Sequence, residues 1–288
     1  KSQTSEKPET MAPATDCWAE LPEEVQWKAN ETVAVITLNR PKEKNAINAA
    51  ADRALVMCVE RIKATPSLRV VFITGNGPMF CAGGDPKMFE SAAAMSEEDN
   101  RKSALSFAHM LRDFNALPVF TCALMNGTAM GGGVGLLSVC DCVVARRGAW
   151  LALSEVRLGV IPATISPYVV AKIGPSNARR MFMTGETFSV EQAEKMGLVN
   201  EIVDTPEGLI PKAKQLLEKL TTAAPGAVHA AKLLAQNVAN APVTDAMIEY
   251  TAEQLALVRT TEECKQGMQA VQAGAKPPWA EQKLVYPE

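Results

Sequence analysis

The stretch Asn126–Leu136, NGTAMGGGVGL, constrains this chain more than any other. Three successive glycines at 131–133 remove every side chain from one patch of backbone, so another molecule can approach it closely. The apolar residues from Val134 onward predict a buried helix that begins at the glycines. A helix N-terminus has free N–H groups, which suit it to an anion or to an oxygen that becomes negative during a reaction. The structural alternative is a tight strand-to-helix turn packed against a neighbour.

A second glycine turn, FCAGGD at Phe80–Asp85, also follows a predicted strand. Both turns expose backbone N–H groups, around Gly84 in one and around Gly132 in the other. Two N–H donors that converge on one oxygen form an oxyanion hole, worth roughly 3–4 kcal/mol per donor in the transition state. A dinucleotide-binding fingerprint is the rival interpretation, but a third glycine at the required spacing is missing, and so is a Walker lysine.

Glu155 is the candidate acid or base. It lies in the largely apolar segment ALSEVRL, residues 152–158, directly after a short predicted strand. Burial among such neighbours raises the pKa of a carboxyl group and suits it to proton transfer near neutral pH. The structural alternative is an ion pair with Arg157 or Arg146.

Composition argues against several classes of function. The net charge of −3 disfavours a nucleic-acid surface or an anionic membrane as partner. Apolar runs stay short of the ~20 residues that a membrane helix needs. Two isolated histidines, His109 and His229, are too few for a zinc site, so no metal is expected. Seven cysteines without a CxxC pair favour reduced thiols and hence the cytoplasm or an organelle matrix.

The order of predicted elements indicates an α/β protein. Residues 1–19 are polar and predict a disordered leader without a hydrophobic signal core; earlier removal of a targeting peptide stays open. Strands and helices then alternate to about residue 175, as in β-α units around a buried sheet, and Ala92–Asn100 is predicted to be a mobile surface segment. The predicted strands are Val33–Leu38, Val70–Thr74, Val119–Leu124, Cys140–Ala145, Trp150–Leu153 and Leu198–Val203. The predicted helices are Ala46–Ala64, Lys102–Leu117, Ala178–Thr184, Val190–Met196, Ile210–Ala223, Ala227–Asn240 and Val243–Ala273.

Taken together, the motifs resemble the crotonase (enoyl-CoA hydratase/isomerase) superfamily. The resemblance rests on FCAGGD, NGTAMGGGVGL, LSEVRLGVIP and the early LNRP…NA of Leu38–Ala46, and it runs from about Val25 to the C-terminus. It implies a spiral of ββα units over residues 20–205, followed by a helical trimerisation region over 206–288. It also implies a homotrimer or dimer of trimers, no tightly bound cofactor, and coenzyme A as part of a thioester substrate.

The resemblance assigns roles to individual residues. The backbone N–H groups of Gly84 and Gly132 would bind the thioester oxygen, and Glu155 would be the catalytic acid or base. Lys42, Lys44 and Lys87 are candidates for the phosphates, although ordinary exposed lysines are an equal alternative. The residues expected to bind substrate or coenzyme A are Lys44, Ala46, Ala82, Gly83, Asp85, Gly131, Gly135 and Tyr168.

Gly135 departs from the usual pattern, because typical hydratases have a second catalytic glutamate at this position. The segment IPATISPY, 161–168, is closest to hydratases of the methylglutaconyl-CoA and isohexenylglutaconyl-CoA kind. The expected activity is therefore a lyase that hydrates a branched or carboxylated enoyl-CoA, or dehydrates its product, through an enolate. Gly135 would leave room for a branched acyl group. The substrate's own carboxylate, or a polar group in place of the missing glutamate, would activate the water.

Several alternatives stay open at this point. One glutamate suffices for an enoyl-CoA isomerase or a decarboxylase, and an acyl-carrier-protein thioester could replace the coenzyme A ester. From other classes come a non-catalytic scaffold, which the retained Glu155 and glycine turns disfavour, and an RNA-binding relative, which the net charge disfavours. Asp141 either matches an acid of the superfamily or caps a helix. His109 is expected to be packed or exposed rather than catalytic, and Tyr168 to line the acyl pocket or the core.

Overall fold

The structure, a computed structural model, describes residues 18–287 apart from the side chain of Phe89. The predicted leader, residues 1–19, lies outside this range except for its last two positions. Strands are β1 Val25–Ala29, β2 Val33–Leu38, β3 Val70–Gly75, β4 Met79–Cys81, β5 Phe120–Met125, β6 Thr128–Met130, β7 Cys142–Arg146, β8 Trp150–Ala152, β9 Thr187–Ser189 and β10 Glu201–Val203. Helices are α1 Ala49–Lys63, α2 Pro86–Ala94, α3 Glu97–Asn115, α4 Gly132–Ser138, α5 Ser166–Thr184, α6 Val190–Met196, α7 Leu209–Thr221, α8 Pro225–Val238, α9 Asp245–Arg259 and α10 Glu262–Ala273.

The strands form two sheets, which confirms the α/β prediction. The larger sheet has the order β1-β2-β3-β5-β7-β10, and all of its pairings are parallel except that of β1 with β2. The smaller sheet has the order β4-β6-β8-β9, with only β8 and β9 antiparallel. Continuous apolar runs such as VVFI in β3 are buried along their whole length, as is typical of strands that are covered on both faces.

Two layers of apolar side chains hold the sheets in place. The main core includes Leu55, Val59 and Ile62 of α1, the same helix face that the sequence predicts. On the other face of the larger sheet, α7 buries Leu209, Ala213 and Leu217. No helix within residues 18–287 has the length and apolarity to cross a bilayer.

Two regions differ from the sequence-based prediction. Ala92–Asn100 is not an irregular segment: α2 ends at Ala94, and Ser96 caps α3 by accepting a hydrogen bond from the Asp99 N–H. The predicted helix Val243–Ala273 is two helices, because Thr261 starts a new one by capping the Cys264 N–H. Local capping signals therefore decided both regions.

Helix α5 also begins earlier than predicted, at Ser166 rather than at Ala178. Gly174 and Pro175 indicate a break in the sequence, but the structure continues through them as a kink in which Gly174 has a φ of +73°. Strands β1, β4, β6 and β9 were not predicted, since each is short or polar.

A buried ion pair attaches α8 to the sheet. The Lys232 Nζ donates to Asp141 Oδ2 at 2.9 Å and to the Val119 carbonyl at 3.2 Å, and the Lys232 side chain is only 7% exposed. The same carboxylate oxygen accepts hydrogen bonds from the Thr121 N–H and hydroxyl. Asp141 therefore has a structural role, which favours the structural alternative over a catalytic one.

We expect Asp141→Ala to lower the free energy of unfolding by about 3–5 kcal/mol, because it leaves the buried Lys232 ammonium without its partner. Urea unfolding measures the change. The control is Asp204→Ala, which removes a carboxylate that is 83% exposed in its pair with Arg147 and is expected to cost less than about 1 kcal/mol. Equal effects of the two substitutions would contradict the structural role of Asp141.

Candidate active site

The two glycine turns, which are about fifty residues apart in the chain, lie against each other. β4 and β6 are paired in parallel, so the turns that follow them leave the small sheet at the same edge. A Cβ built on Gly83 would lie 3.4 Å from the Gly132 nitrogen and 2.9 Å from the Met130 carbonyl oxygen. Only glycine permits this approach, and its φ of +91° at Gly83 is a conformation that other residues rarely adopt.

Ile47, in the segment before α1, completes this arrangement. Its N–H donates to the Gly83 carbonyl at 2.7 Å, and its own carbonyl accepts from the Asp85 N–H at 2.9 Å. Arg40 joins the same parts from the side: Nη1 donates to the Ala46 carbonyl at 2.6 Å and to Asp85 Oδ2 at 2.8 Å. Sequence reasoning missed Arg40, although it lies inside the LNRP motif.

The two proposed oxyanion donors are unengaged in the described part of the chain. Neither the Gly84 N–H nor the Gly132 N–H takes part in a hydrogen bond there, whereas the N–H groups of Asp85 and Gly131 donate to Ile47 and Ala152 carbonyls. Gly84 is exposed and Gly132 is half-buried. Both N–H groups are therefore available to an external acceptor, and their joint use by one oxygen stays a prediction.

Glu155 lies beside the glycine-rich turn. It opens a 3-10 helix, Glu155–Leu158, directly after β8, and its Oε1 is 3.0 Å from the position that a Cβ on Gly131 would take. Its Oε2 is buried without a hydrogen-bond partner among the described residues. Burial is the main cause that raises the pKa of this carboxyl, and a hydrogen bond from its own backbone N–H partly offsets it.

The ion-pair alternative for Glu155 is wrong for both arginines. The Arg146 Nε donates to the Asn126 carbonyl at 3.0 Å. Arg157 packs at Gly185, with its Nε 3.2 Å from the position of a Cβ there. Within residues 18–287, the Glu155 carboxylate takes part in no ion pair. A half-buried carboxyl with a raised pKa and an unused oxygen fits proton transfer better than support of the fold.

Apolar side chains surround Gly132. A Cβ on this glycine would lie 3.6 Å from Ile47 Cδ1 and 3.6 Å from Phe107 Cζ of α3. Sequence reasoning missed Phe107, although its spacing to the buried Leu111 and Phe114 places it on the apolar face of its helix. The adjacent Ser106 donates a 2.6 Å hydrogen bond to Asp52 Oδ2 of α1, which fixes α3 over the site.

Gly135 does not open the predicted space. A Cβ at this position would lie only 2.2 Å from Ile165 Cγ2 and 2.9 Å from Ile165 Cβ. The expectation of room for a branched acyl group next to Gly135 is therefore wrong, since the Ile165 side chain fills that volume. The polar replacement for the missing glutamate is not there either, because the residue that fills the space is an isoleucine.

The other predicted residues have mixed surroundings. Lys44 is exposed with a φ of +55°, and its carbonyl accepts from the Ala82 N–H at 3.0 Å. Asp85 is buried, caps α2 through the Lys87 N–H and pairs with Arg40. Tyr168 of α5 is half-buried against the core. Lys42, Lys87 and His109 are exposed, and the described residues hold no cluster of three or more metal-ligating side chains.

The raised pKa of Glu155 predicts a pH-dependent effect of Glu155→Gln on stability. Because the carboxyl is harder to ionise in the folded state, the native protein loses stability as the pH rises from the ordinary pKa of 4.5 through the raised value. The variant lacks this loss. Its urea midpoint should therefore exceed that of the unaltered protein at about pH 8 and match it at about pH 4.

The control for this measurement is Glu253→Gln on the exposed surface of α9, which we expect to leave the pH dependence of stability unchanged. A Glu155→Gln variant that is no more stable than the unaltered protein at the higher pH would contradict the destabilising effect assigned to the ionised, buried Glu155 carboxyl.

Comparisons with known proteins identify the family of this chain. The family described as Enoyl-CoA hydratase/isomerase matches residues 28–282. Among characterised relatives, 2,3-dehydroadipyl-CoA hydratase of Escherichia coli is 36% identical over 70% of this chain and 77% of its own length. Mevalonyl-coenzyme A hydratase of Aspergillus fumigatus is 30% identical over 88% of this chain and 93% of its own. The crystal structure of an enoyl-CoA hydratase from Shewanella pealeana superposes with a TM-score of 0.87 at 28% identity, covering 92% of this chain and 100% of that one. The chain therefore has the crotonase fold and belongs to the enoyl-CoA hydratase/isomerase family.

Proposed function

We propose that this enzyme hydrates a branched or carboxylated enoyl-CoA, or dehydrates the corresponding 3-hydroxyacyl-CoA, through a thioester enolate. The observation that carries the proposal is the half-buried Glu155 carboxyl, which lies beside Gly131 and hence next to the Gly132 N–H, while among residues 18–287 the carboxyl takes part in no ion pair and the N–H in no hydrogen bond. The relatives named for mevalonyl-CoA and 2,3-dehydroadipyl-CoA support a branched or carboxylated substrate. A methylglutaconyl-like substrate combines both features.

In the proposed reaction the thioester oxygen accepts hydrogen bonds from the N–H groups of Gly84 and Gly132. Addition of water to Cβ moves electrons onto that oxygen, and the two donors stabilise the resulting enolate. Glu155 then delivers a proton to Cα, or removes it in the reverse direction. Burial raises the pKa of this carboxyl, which makes its protonated form easier to populate as a proton donor.

The apolar surroundings of Gly135 bear on how water is activated. Ile165 occupies the volume where a second glutamate would stand, so at that position the protein offers no base. A carboxylate carried by the substrate can supply the missing polar group. The absence of a second protein carboxylate at this position therefore favours an enoyl-CoA with its own carboxylate over one without.

The same observation supports a second candidate, an enoyl-CoA isomerase or a decarboxylase. Both reactions pass through an enolate but need only one protein carboxyl to move one proton, which matches a site with Glu155 alone. An acyl-carrier-protein thioester is a further form of substrate that the same oxyanion donors would accept.

The remainder of the substrate has proposed contacts along the Arg40–Asp85 assembly. Backbone around Lys44, Ala46 and Ala82 would hold the adenine and the pantetheine, with Lys42, Lys44 and Lys87 near the phosphates. Gly83, Asp85 and Gly131 shape the turns, and Tyr168 borders the acyl end. The exposure of the three lysines supports this assignment, because their ammonium groups are free to meet phosphate oxygens.

We also assign residues 206–288 to self-association as a trimer or dimer of trimers. Support comes from large apolar side chains that this part leaves exposed: Ile248, Leu255, Leu257, Met268 and Val271. Exposed apolar groups in such number are typical of protein interfaces.

A reducing compartment, the cytoplasm or an organelle matrix, stays a prediction. Five buried cysteines with free thiols among the described residues support it.

A panel of enoyl-CoA and 3-hydroxyacyl-CoA thioesters, read by mass spectrometry, tests the proposed function. We expect 3-methylglutaconyl-CoA to gain the mass of water, whereas decarboxylation would lose carbon dioxide and isomerisation would leave the mass unchanged.

Glu155→Gln should lower turnover by about 10²–10⁴-fold, the usual loss when a general acid or base is removed, while the Kd for the ester changes little. Unchanged turnover in the Glu155→Gln variant would contradict the assignment of Glu155 as the catalytic acid or base.

Gly132→Pro tests the oxyanion hole, because proline removes the N–H yet is well tolerated at the first position of a helix. We expect turnover to fall by about 10²–10³-fold, as for loss of one oxyanion donor. Gly132→Ala is the matched control: its Cβ meets only ordinary contacts of 3.6 Å and it keeps the N–H. Circular dichroism checks folding, and equal turnover of the two variants would refute the role of this N–H.

A further inference from the structure

Glu155 and Ile165 pack at two glycines at the start of α4. Oε1 of Glu155 lies 3.0 Å from the Cβ position of Gly131, and Cγ2 of Ile165 lies 2.2 Å from that of Gly135. Gly131 is the N-cap of the helix, and its carbonyl accepts a hydrogen bond from the Gly135 N–H at 3.1 Å. The carboxyl and the isoleucine therefore contact opposite ends of the first turn of α4.

Ile165 is held rigidly in this place. It is 2% exposed and sits directly before α5, where its carbonyl accepts hydrogen bonds from the N–H groups of Tyr168 and Val169 at 3.1 Å each. A β-branched side chain has few rotamers, and the absence of a Cβ at Gly135 lets it pack against the α4 backbone. The Ile165 side chain thus occupies the volume that a side chain at position 135 would otherwise take.

We propose that Ile165 is the specificity-determining residue of this site, forming an apolar wall that receives the substituent on C3 of the acyl group and keeps water away from Glu155. The inference rests on the proposed function, since it takes the thioester oxygen to lie at Gly132. From that oxygen the acyl group extends past Glu155 at Cα. Ile165, which packs at Gly135 one turn further along α4, would then meet Cβ and its substituent.

On this proposal, Ile165 also contributes to the burial of the Glu155 carboxyl. Burial is the main cause of the raised pKa of that carboxyl, and no charged side chain perturbs it among the described residues. The arginines nearest in sequence, Arg146 and Arg157, are engaged at Asn126 and at Gly185. A smaller residue at 165 admits water beside the carboxyl and lowers its pKa toward the ordinary value.

The experiment compares Ile165→Ala, Ile165→Val and the control Ile173→Ala. Ile173 is an equally buried isoleucine of α5, 3% exposed, and it lies eight residues further along the chain, so its truncation creates a similar cavity at a different place in the core. The probes are glutaconyl-CoA and 3-methylglutaconyl-CoA, which differ only in the C3 methyl group. Readouts are kcat/KM for each ester, the pH dependence of kcat/KM, and, in the Glu155→Gln background, the Kd of each ester by calorimetry.

We expect Ile165→Ala to shift the kcat/KM ratio away from the methylated ester and toward glutaconyl-CoA by about tenfold, because truncation removes the apolar contact with the C3 methyl group. Ile165→Val should shift it less, and Ile173→Ala should not shift it. The pH at which kcat/KM changes through titration of Glu155 should be lower in Ile165→Ala than in the unaltered protein, and it should not move in Ile173→Ala. A folded Ile165→Ala protein with an unchanged ratio and an unchanged pH dependence overturns the inference.

Failure of the proposed function is a separate outcome. If the unaltered chain converts no thioester of the panel, that function fails, whereas the calorimetric ratio of the two esters still decides on Ile165. A shift of that ratio in Ile165→Ala but not in Ile173→Ala supports the apolar wall, and an equal ratio in both rejects it.

Discussion

The close approach of the two glycine turns is the constraint on which the rest of the site depends. At Gly83 a side chain would meet the Met130 carbonyl, and at Gly133 a Cβ would lie 2.6 Å from the Cys81 carbonyl oxygen. Backbone atoms cannot move aside as side chains do, so larger residues would separate the turns. With glycine at these positions, parallel pairing of β4 and β6 brings together two turns from distant parts of the chain.

The half-buried carboxyl of Glu155 lies beside these turns. Within residues 18–287, Glu155 has a carboxyl oxygen without a hydrogen bond and little compensation for its burial. Such a group reduces the stability of the folded protein when it is ionised, and groups of this kind cluster at functional sites. In contrast, Asp141 is hydrogen-bonded to Thr121 and Lys232 and supports the fold. The surroundings of these two acids differ, and on that ground we propose a catalytic role for Glu155 and assign a structural one to Asp141.

Much of the fold and of the site was predictable from local patterns. Apolar β-branched runs predicted β2 and β3 almost to the residue, because a strand buried on both faces needs apolar side chains throughout. The glycine turns and Glu155 were recognisable because few residue types serve their chemistry. Phe107 and Ile165 were not recognisable, since an apolar residue in a helix or loop looks the same whether it packs in a core or lines a pocket. Arg40 was missed because its two acceptors come from separate segments.

The sequence by itself determined the family, the α/β alternation, the pair of glycine turns and the single glutamate, since each depends on residue type and spacing along the chain. Only the tertiary structure decided that the turns meet, that Glu155 is free of both arginines, and that Ile165 fills the space beside Gly135. The last point reversed an expectation. A glycine in a sequence indicates a missing side chain, but whether the volume is empty or filled depends on a residue thirty positions away that packing brings to it.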